Sequence, residues 1–286
     1  MRSAGSVGPV GSVGSGGSAG SAGSAGSAGS AGRTSAAGRL AGLGRAELTL
    51  LLRNRTALFM ALLMPVVLVL AMKSSLEQID LGKVGMSIAE VSLTGGIGTV
   101  LILVVHLNLV SAYVARREEL VLKRLRTGEV PDREILAGTA LPAAGLALAQ
   151  CALLIGGGIA VMEVTAPRRP ELLIGGIALG LVLMTALAAV TATVTRTVES
   201  AQITTMPMFL ISLAGSGIFI PLDVMPEKMA SVCELLPMTG VMTLIRGGWL
   251  GGTDGGELAT AALTALAWTA LSVFAVQRWF RWEPRR

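Results

Sequence analysis

The chain has 286 residues, of which 52% are hydrophobic and only 14% charged, with a mean hydropathy of +0.70. Soluble domains carry about 25% charged residues, so an ordinary soluble domain is excluded. A net charge of +5 would suit nucleic acid, but aromatics are only 3% and the cations avoid the apolar runs. Basic residues bracketing apolar spans mark a membrane protein instead, and no nucleic-acid partner is expected. Cys151 and Cys233 stand in unlike settings and there is one histidine, so neither a disulfide framework nor a metal site is expected.

Residues 1–32 are Gly, Ser and Ala in a near-triplet repeat. Such a stretch cannot bury a core and reads as a disordered tail ahead of a membrane domain at 33–286. It lacks the apolar core of a secretory signal. From Arg39 to Arg55 leucines cover one arc of a helical wheel, with Arg45, Thr49 and Arg53 opposite and Glu47 and Arg55 on the apolar side. The pattern predicts an elbow helix lying on the headgroups, or the basic flank of the first span.

Six apolar segments follow, near 56–76, 93–115, 134–162, 171–194, 203–222 and 257–277. A span needs about 20 predominantly apolar residues, so six transmembrane helices are expected. With six spans, 17 of the 23 Lys and Arg residues fall on one side, which places both termini in the cytosol of a multi-pass cell-membrane protein.

Between the second and third segments lies YVARREELVLKRLRTGEVPDREILAG, Tyr113–Gly138, with cations at Arg116, Arg117, Lys123, Arg124, Arg126 and Arg133. A short helix is predicted over 118–127. Glu119 and Lys123 are spaced for a helical ion pair, and Leu122 and Leu125 share an apolar edge. Gly128 supplies a stop, and Pro131–Asp132 a turn and N-cap. A loop with both a charged and an apolar edge reads as a docking surface gripped from the cytosol.

Within the second segment His106 and Asn108 are polar at membrane depth, which fits either a substrate path or an interhelical hydrogen bond. Gly176 and Gly180 permit close helix approach, and Gly156–Gly158 suits packing or a kink. In SGIFIPLDVMPEKMASVCELLPMTGVMTLIRGG, Pro221, Pro226 and Pro237 forbid one continuous span. Met229, Val232, Cys233 and Leu236 form one apolar face, and Val241, Leu244 and Ile245 another. Two short external or partly re-entrant helices are expected. No phosphate loop, zinc motif or nucleophile elbow is present in the sequence, so no enzyme activity is expected of the chain itself.

These stretches together resemble the ABC transporter permeases of the type-2 export family. RREELVLKRLRTGEVPDREILAG resembles the family's first cytosolic loop, although Leu120–Val121 stands where Gly-Thr is frequent and Thr127–Gly128–Glu129 where Thr-Pro is usual. SGIFIPLDVMPEKMASVCELLPMTGVMTLIRG resembles the signature before the last span, and ELTLLLRNRTALFMALLMPVVLVL the first-span entry. The resemblance covers about 45–280 and implies an all-α permease that dimerises around a central path and exports drugs, antibiotics, lipids or glycans. ATP and Mg would be bound by a separate ATPase subunit, with no cofactor in this chain.

By matching positions, Arg116, Glu119, Leu122, Lys123, Arg124, Leu125 and Arg126 fall in the ATPase-coupling loop. Arg45, Glu47, Arg53 and Arg55 fall in the elbow, and Pro221, Pro226, Pro237 and Thr239 in the external helical pair. The candidate path is His106 and Asn108 on the second span with Met206, Phe209 and Ser212 on the fifth. The alternatives are an ion-driven transporter or a non-transporting anchor or immunity subunit. The first is short of an intramembrane carboxylate, since Glu163, Glu171 and Glu199 all stand at segment ends.

Overall fold

The computed structural model describes residues 55–76, 87–119, 132–162 and 164–280. Among them every regular element is helical and no strand occurs. In chain order these are α1 (Arg55–Leu76), α2 (Ile88–Val100), a π-helical segment (Leu101–Leu107) and α3 (Asn108–Glu118). Then come α4 (Asp132–Val161), α5 (Pro170–Val194) and α6 (Val198–Gly215). After a 3₁₀ turn (Leu222–Val224) follow α7 (Glu227–Cys233), α8 (Pro237–Leu250) and α9 (Gly255–Trp279).

Five of the six expected apolar segments are helical almost throughout, and the fifth in chain order only in part. By length and composition four helices can cross a bilayer: Ile88–Glu118, Glu134–Val161, Pro170–Val194 and Gly255–Trp279. A fifth is reached if α7 and α8, bent by 100° against each other, count as one broken span. The apolar part of α1, Leu62–Ser75, is shorter. The expected fifth segment, 203–222, departs from the prediction at its end. Its helix α6 stops at Gly215, because Gly217 adopts a left-handed φ of 72° and Pro221 follows.

The rod Ile88–Glu118 is the centre of the packing. Ser87 opens it with a capping box: its hydroxyl accepts the Glu90 N–H, and the Glu90 carboxylate accepts the Ser87 N–H at 2.8 Å. Every residue from Val91 to Ile102 is buried. A side chain at Gly95 would run into the Ile218 carbonyl, at Gly96 into Val69, and at Gly98 into Met242 Sδ at 2.5 Å. Three glycines on one rod thus admit α1, the segment after α6 and α8. Small residues at crossings are how helices gain van der Waals contact without a hydrophobic driving force.

Helix α5 packs against α8, α9 and the π segment. The expected close approach at Gly176 and Gly180 is present: a Cβ at Gly180 would lie 2.7 Å from Leu101 and 2.9 Å from Val241. Of the 156–158 glycines only Gly158 meets a neighbour, Leu93 on α2.

The two short helices before α9 divide differently from the expectation. Val241, Leu244 and Ile245 of α8 are buried, as are most of its other residues. Helix α7 has no buried residue, and its expected apolar face is largely open at Met229 and Val232. Seven residues make too short a helix to seat that face while Pro226 and Pro237 bound it.

Candidate functional site

The end of the rod that leads into residues 120–131 is built by three side chains of α3. Tyr113 donates its hydroxyl to the Leu136 carbonyl of α4 at 3.1 Å, and its ring meets Phe280, just past α9, edge-on with centroids 6.4 Å apart. Arg116 Nη1 donates to Thr139 Oγ1 at 3.2 Å, and that hydroxyl donates in turn to the Ile135 carbonyl.

Arg117 goes further. Only 1% exposed, it sends Nη1 to the Ala192 carbonyl at 2.8 Å and Nη2 to those of Thr195 at 2.6 Å and Arg196 at 3.3 Å. These are carbonyls of the last turn of α5 and just past it, which no helical N–H can satisfy and where the helix dipole is negative. A planar guanidinium fits several such acceptors at once. Within five residues, then, α3 is tied to α4, α5 and the end of α9.

Of the expected coupling residues, Arg116 is half-buried against α4 and Glu119 is exposed at the C-cap of α3. Leu122, Lys123, Arg124, Leu125 and Arg126 lie outside the described residues. So do Arg45, Glu47 and Arg53 of the expected elbow, the side chain of Arg55, and the tail 1–32. The role of Arg117 escaped sequence reasoning, which counted it among the loop cations. Its signal is spacing: it stands three and four residues after the buried Val114 and Tyr113, on the face of α3 that the bundle covers.

The expected path residues are only partly brought together. Helix α6 packs against α3 and the π segment, so both expected elements are neighbours. His106 is wholly buried and faces the Met184 backbone of α5 without a well-formed hydrogen bond. Ser212 is also buried, its hydroxyl without a hydrogen-bond partner. Phe209 packs on the core, whereas Asn108 and Met206 are exposed and point away from it. The π segment Leu101–Leu107 was not anticipated; such insertions into α-helices are frequent at functional sites, and sequence periodicity over seven apolar residues cannot reveal one.

At the opposite end of α9 the proline-rich motif forms a knotted corner. Pro221 is buried and leads the 3₁₀ turn, Pro226 leads α7 and Pro237 occupies the first position of α8. Thr239 Oγ1 donates to the Cys233 carbonyl at 2.6 Å, closing α8 onto α7. Trp268 Nε1 of α9 donates to the Leu235 carbonyl at 2.8 Å, and the Arg246 guanidinium donates to the Gly217 carbonyl. Between α8 and α9 a cleft of about 320 Å³ remains, bordered by Glu234, Arg246 and Glu257.

At the start of α6 Thr197 forms a capping box with Ser200. The backbone N–H of Glu199 and the Thr197 hydroxyl hold the exposed Glu199 carboxyl below the usual carboxylate range.

The sequence model of the ABC-2 type transporter family matches residues 40–250, nearly three-quarters of the chain. The chain belongs to that family. An ABC-2 type transporter domain is the permease of an ABC transporter, a multi-pass membrane subunit whose partner is an ABC ATPase. Both the Tyr113–Arg117 anchor and the corner from Ser216 to Arg246 fall inside the matched range. No curated protein matches the chain.

Proposed function

We propose that this ABC-2 type transporter domain is the permease of an ATP-driven exporter in the cell membrane. In this reading six spans place both termini in the cytosol, and two copies of the chain surround a path for a drug, antibiotic, lipid or glycan. The chain performs no chemistry; ATP and Mg are bound by the ATPase, whose closure displaces the stretch 120–131.

The observation that carries this reading is the anchoring of Arg117 to the end of α5. A loop whose stem is riveted to a neighbouring helix cannot be displaced alone. Its motion reaches α4, α5 and α9 as a rigid-body shift, the kind of movement that switches access from one side to the other. His106 on the π segment and Phe209 and Ser212 on α6, two elements that pack together, would then line the path between the anchor and the corner at the far end.

The test is a tagged pull-down of the full chain from mild detergent, assayed for ATP hydrolysis and for transport. An ATPase subunit is expected to accompany the chain, and Lys123→Glu/Arg124→Glu to lose transport while the chain still purifies folded. Unimpaired transport in that double variant would overturn the coupling role of the loop.

A further inference from the structure

At the end of the bundle that carries Tyr113, three of the long helices leave a gap between them. Helix α9 packs along α5, α4 touches α5 only briefly, and α4 and α9 share no packed stretch. The result is a groove of about 490 Å³. Ala137, Ala140 and Ala144 recur along one face of α4, and Ala186 and Ala189 along one face of α5, so methyl groups line much of it. Val273 and Val276 supply the side of α9, and Tyr113, whose hydroxyl is already bonded to the Leu136 carbonyl, closes the inner wall. The other polar side chains on the wall are Thr185 and Gln277.

The groove has a definite depth. On α4 it runs from Leu136 to Ala144 and on α5 from Leu181 to Ala189, in each case about 12 Å at 1.5 Å per residue. All three helices are long and apolar enough to cross a bilayer. The hydrocarbon core is about 30 Å thick, so the groove occupies most of one leaflet and stops short of the midplane. Its mouth lies at the last turn of α9. There Trp279 is 63% exposed, as tryptophans are where hydrocarbon meets headgroups. Arg278, next to the groove residue Gln277, is exposed and makes no hydrogen bond or ion pair with the described residues. Glu134, two residues before Leu136 on α4, already has a partner.

These features select among occupants. Water in such a groove would find few polar partners, and a polar solute has little to orient it. A second copy related by a two-fold axis would bring its own Arg278 to the same level, setting like charges near each other. A hydrocarbon chain fits the alanine and valine walls, and an anionic phosphate fits a free arginine at headgroup level. We propose that this groove seats an acyl chain of an anionic phospholipid whose phosphate pairs with Arg278. The lipid is a fixed part of the bundle and not its cargo, and only the naming of its leaflet as cytosolic rests on the exporter reading. Lying over the Tyr113 ring, the chain would wedge α4 and the end of α9 apart beside the Arg117 anchor.

The experiment uses the full-length chain in mild detergent, offered equal amounts of phosphatidylglycerol and phosphatidylcholine with the same acyl chains. Retained lipid is read by native mass spectrometry. Phosphatidylglycerol is expected to be retained about fivefold over phosphatidylcholine, the scale of one arginine near an anionic surface. Arg278→Gln should abolish the preference while some of both lipids stays bound. Ala137→Leu/Ala144→Leu, at one exposed and one half-buried position, fills the groove from one wall and should release both lipids. Equal retention by the unaltered chain overturns the proposal, as does a preference that survives Arg278→Gln or lipid that survives the filling. A filled chain that keeps its lipid but passes from dimer to monomer in the same spectra also overturns it, and makes the groove a contact between copies. Because no ATPase is present, a chain that keeps the preference but recruits no ATPase in the pull-down upholds the groove and sinks the exporter reading. The reverse result sinks the groove alone.

Discussion

The two ends of the helix bundle are held by the same kind of bond and to different effect. At the end near residue 117, side chains of one helix reach the backbone of its neighbours through a buried cation, a phenol and a hydroxyl-linked guanidinium. At the far end Thr239, Trp268 and Arg246 also bond to backbone carbonyls, but these join short elements around two glutamates, five threonines and open space. The first arrangement leaves nothing to move independently. The second holds a corner together while keeping a cavity beside it. A buried charge bonded to helix-terminal carbonyls makes a rigid joint, because separating the partners strands both in a low-dielectric interior. Hydroxyl and indole bonds, each worth about 1 kcal/mol net, make a joint that can loosen.

The sharpest way to break this comparison is Arg117→Met, which keeps much of the volume and removes all three carbonyl contacts. A loss of about 1–3 kcal/mol is expected, the cost of leaving buried acceptors unsatisfied once their donor is removed. It would be read as a lowered thermal midpoint in detergent, together with ATP hydrolysis no longer matched by transport. Arg117→Lys keeps the charge but cannot fork across several acceptors, and should recover only part of both readouts. If Arg117→Met transports as efficiently per ATP as the unaltered chain, the rigid joint is not a transmission element.

A smaller effect is expected at the loose end. Thr239→Val removes one of the two donors to the Cys233 carbonyl, which keeps the Leu236 N–H, and should cost about 1 kcal/mol. The change should appear as faster amide exchange confined to α7 and the start of α8, with coupling intact. Exchange spreading to α3 would show that the two ends are not independent. The smallest effect belongs to Glu199, whose exposed carboxylate caps α6 outside the apolar segment. Its folded-state value is depressed, so its contribution is fully present above the ordinary carboxylate pKa and fades as pH falls through the lowered value. Glu199→Gln should remove that pH dependence from amide exchange at residues 198–201, and an identical pH profile in the variant would refute the cap.

Much of the scaffold was legible because apolar length is a strong signal. Each of the six apolar segments holds a helix, the fifth only as far as Gly215, and the prolines of the motif from Ser216 onward broke the chain where their missing N–H groups require. The site was less legible where position in three dimensions decides the role. Arg117 and Arg116 look alike in sequence, as cations after an apolar run. One turned inward because α5 happens to end beside it; the other leans on Thr139. Asn108 and His106 are two residues apart, yet only the histidine is enclosed. For α7 the wheel displayed an apolar face, but the turn before it and the 100° bend after it withhold a surface to bury that face.

The π segment has a consequence for phase. An α-helix advances about 100° per residue, so one residue inserted into the ladder between Leu101 and Leu107 turns everything beyond it by roughly that angle. The glycines at 95, 96 and 98 and the anchoring side chains at 113, 116 and 117 are therefore keyed to different sides of a single rod. Deleting one residue from the segment would restore a plain helix and carry Arg117 a quarter-turn or more away from the carbonyls of α5. The rod thus works as a shaft with an offset in it, one end indexed to α1 and α8 and the other to α4 and α5.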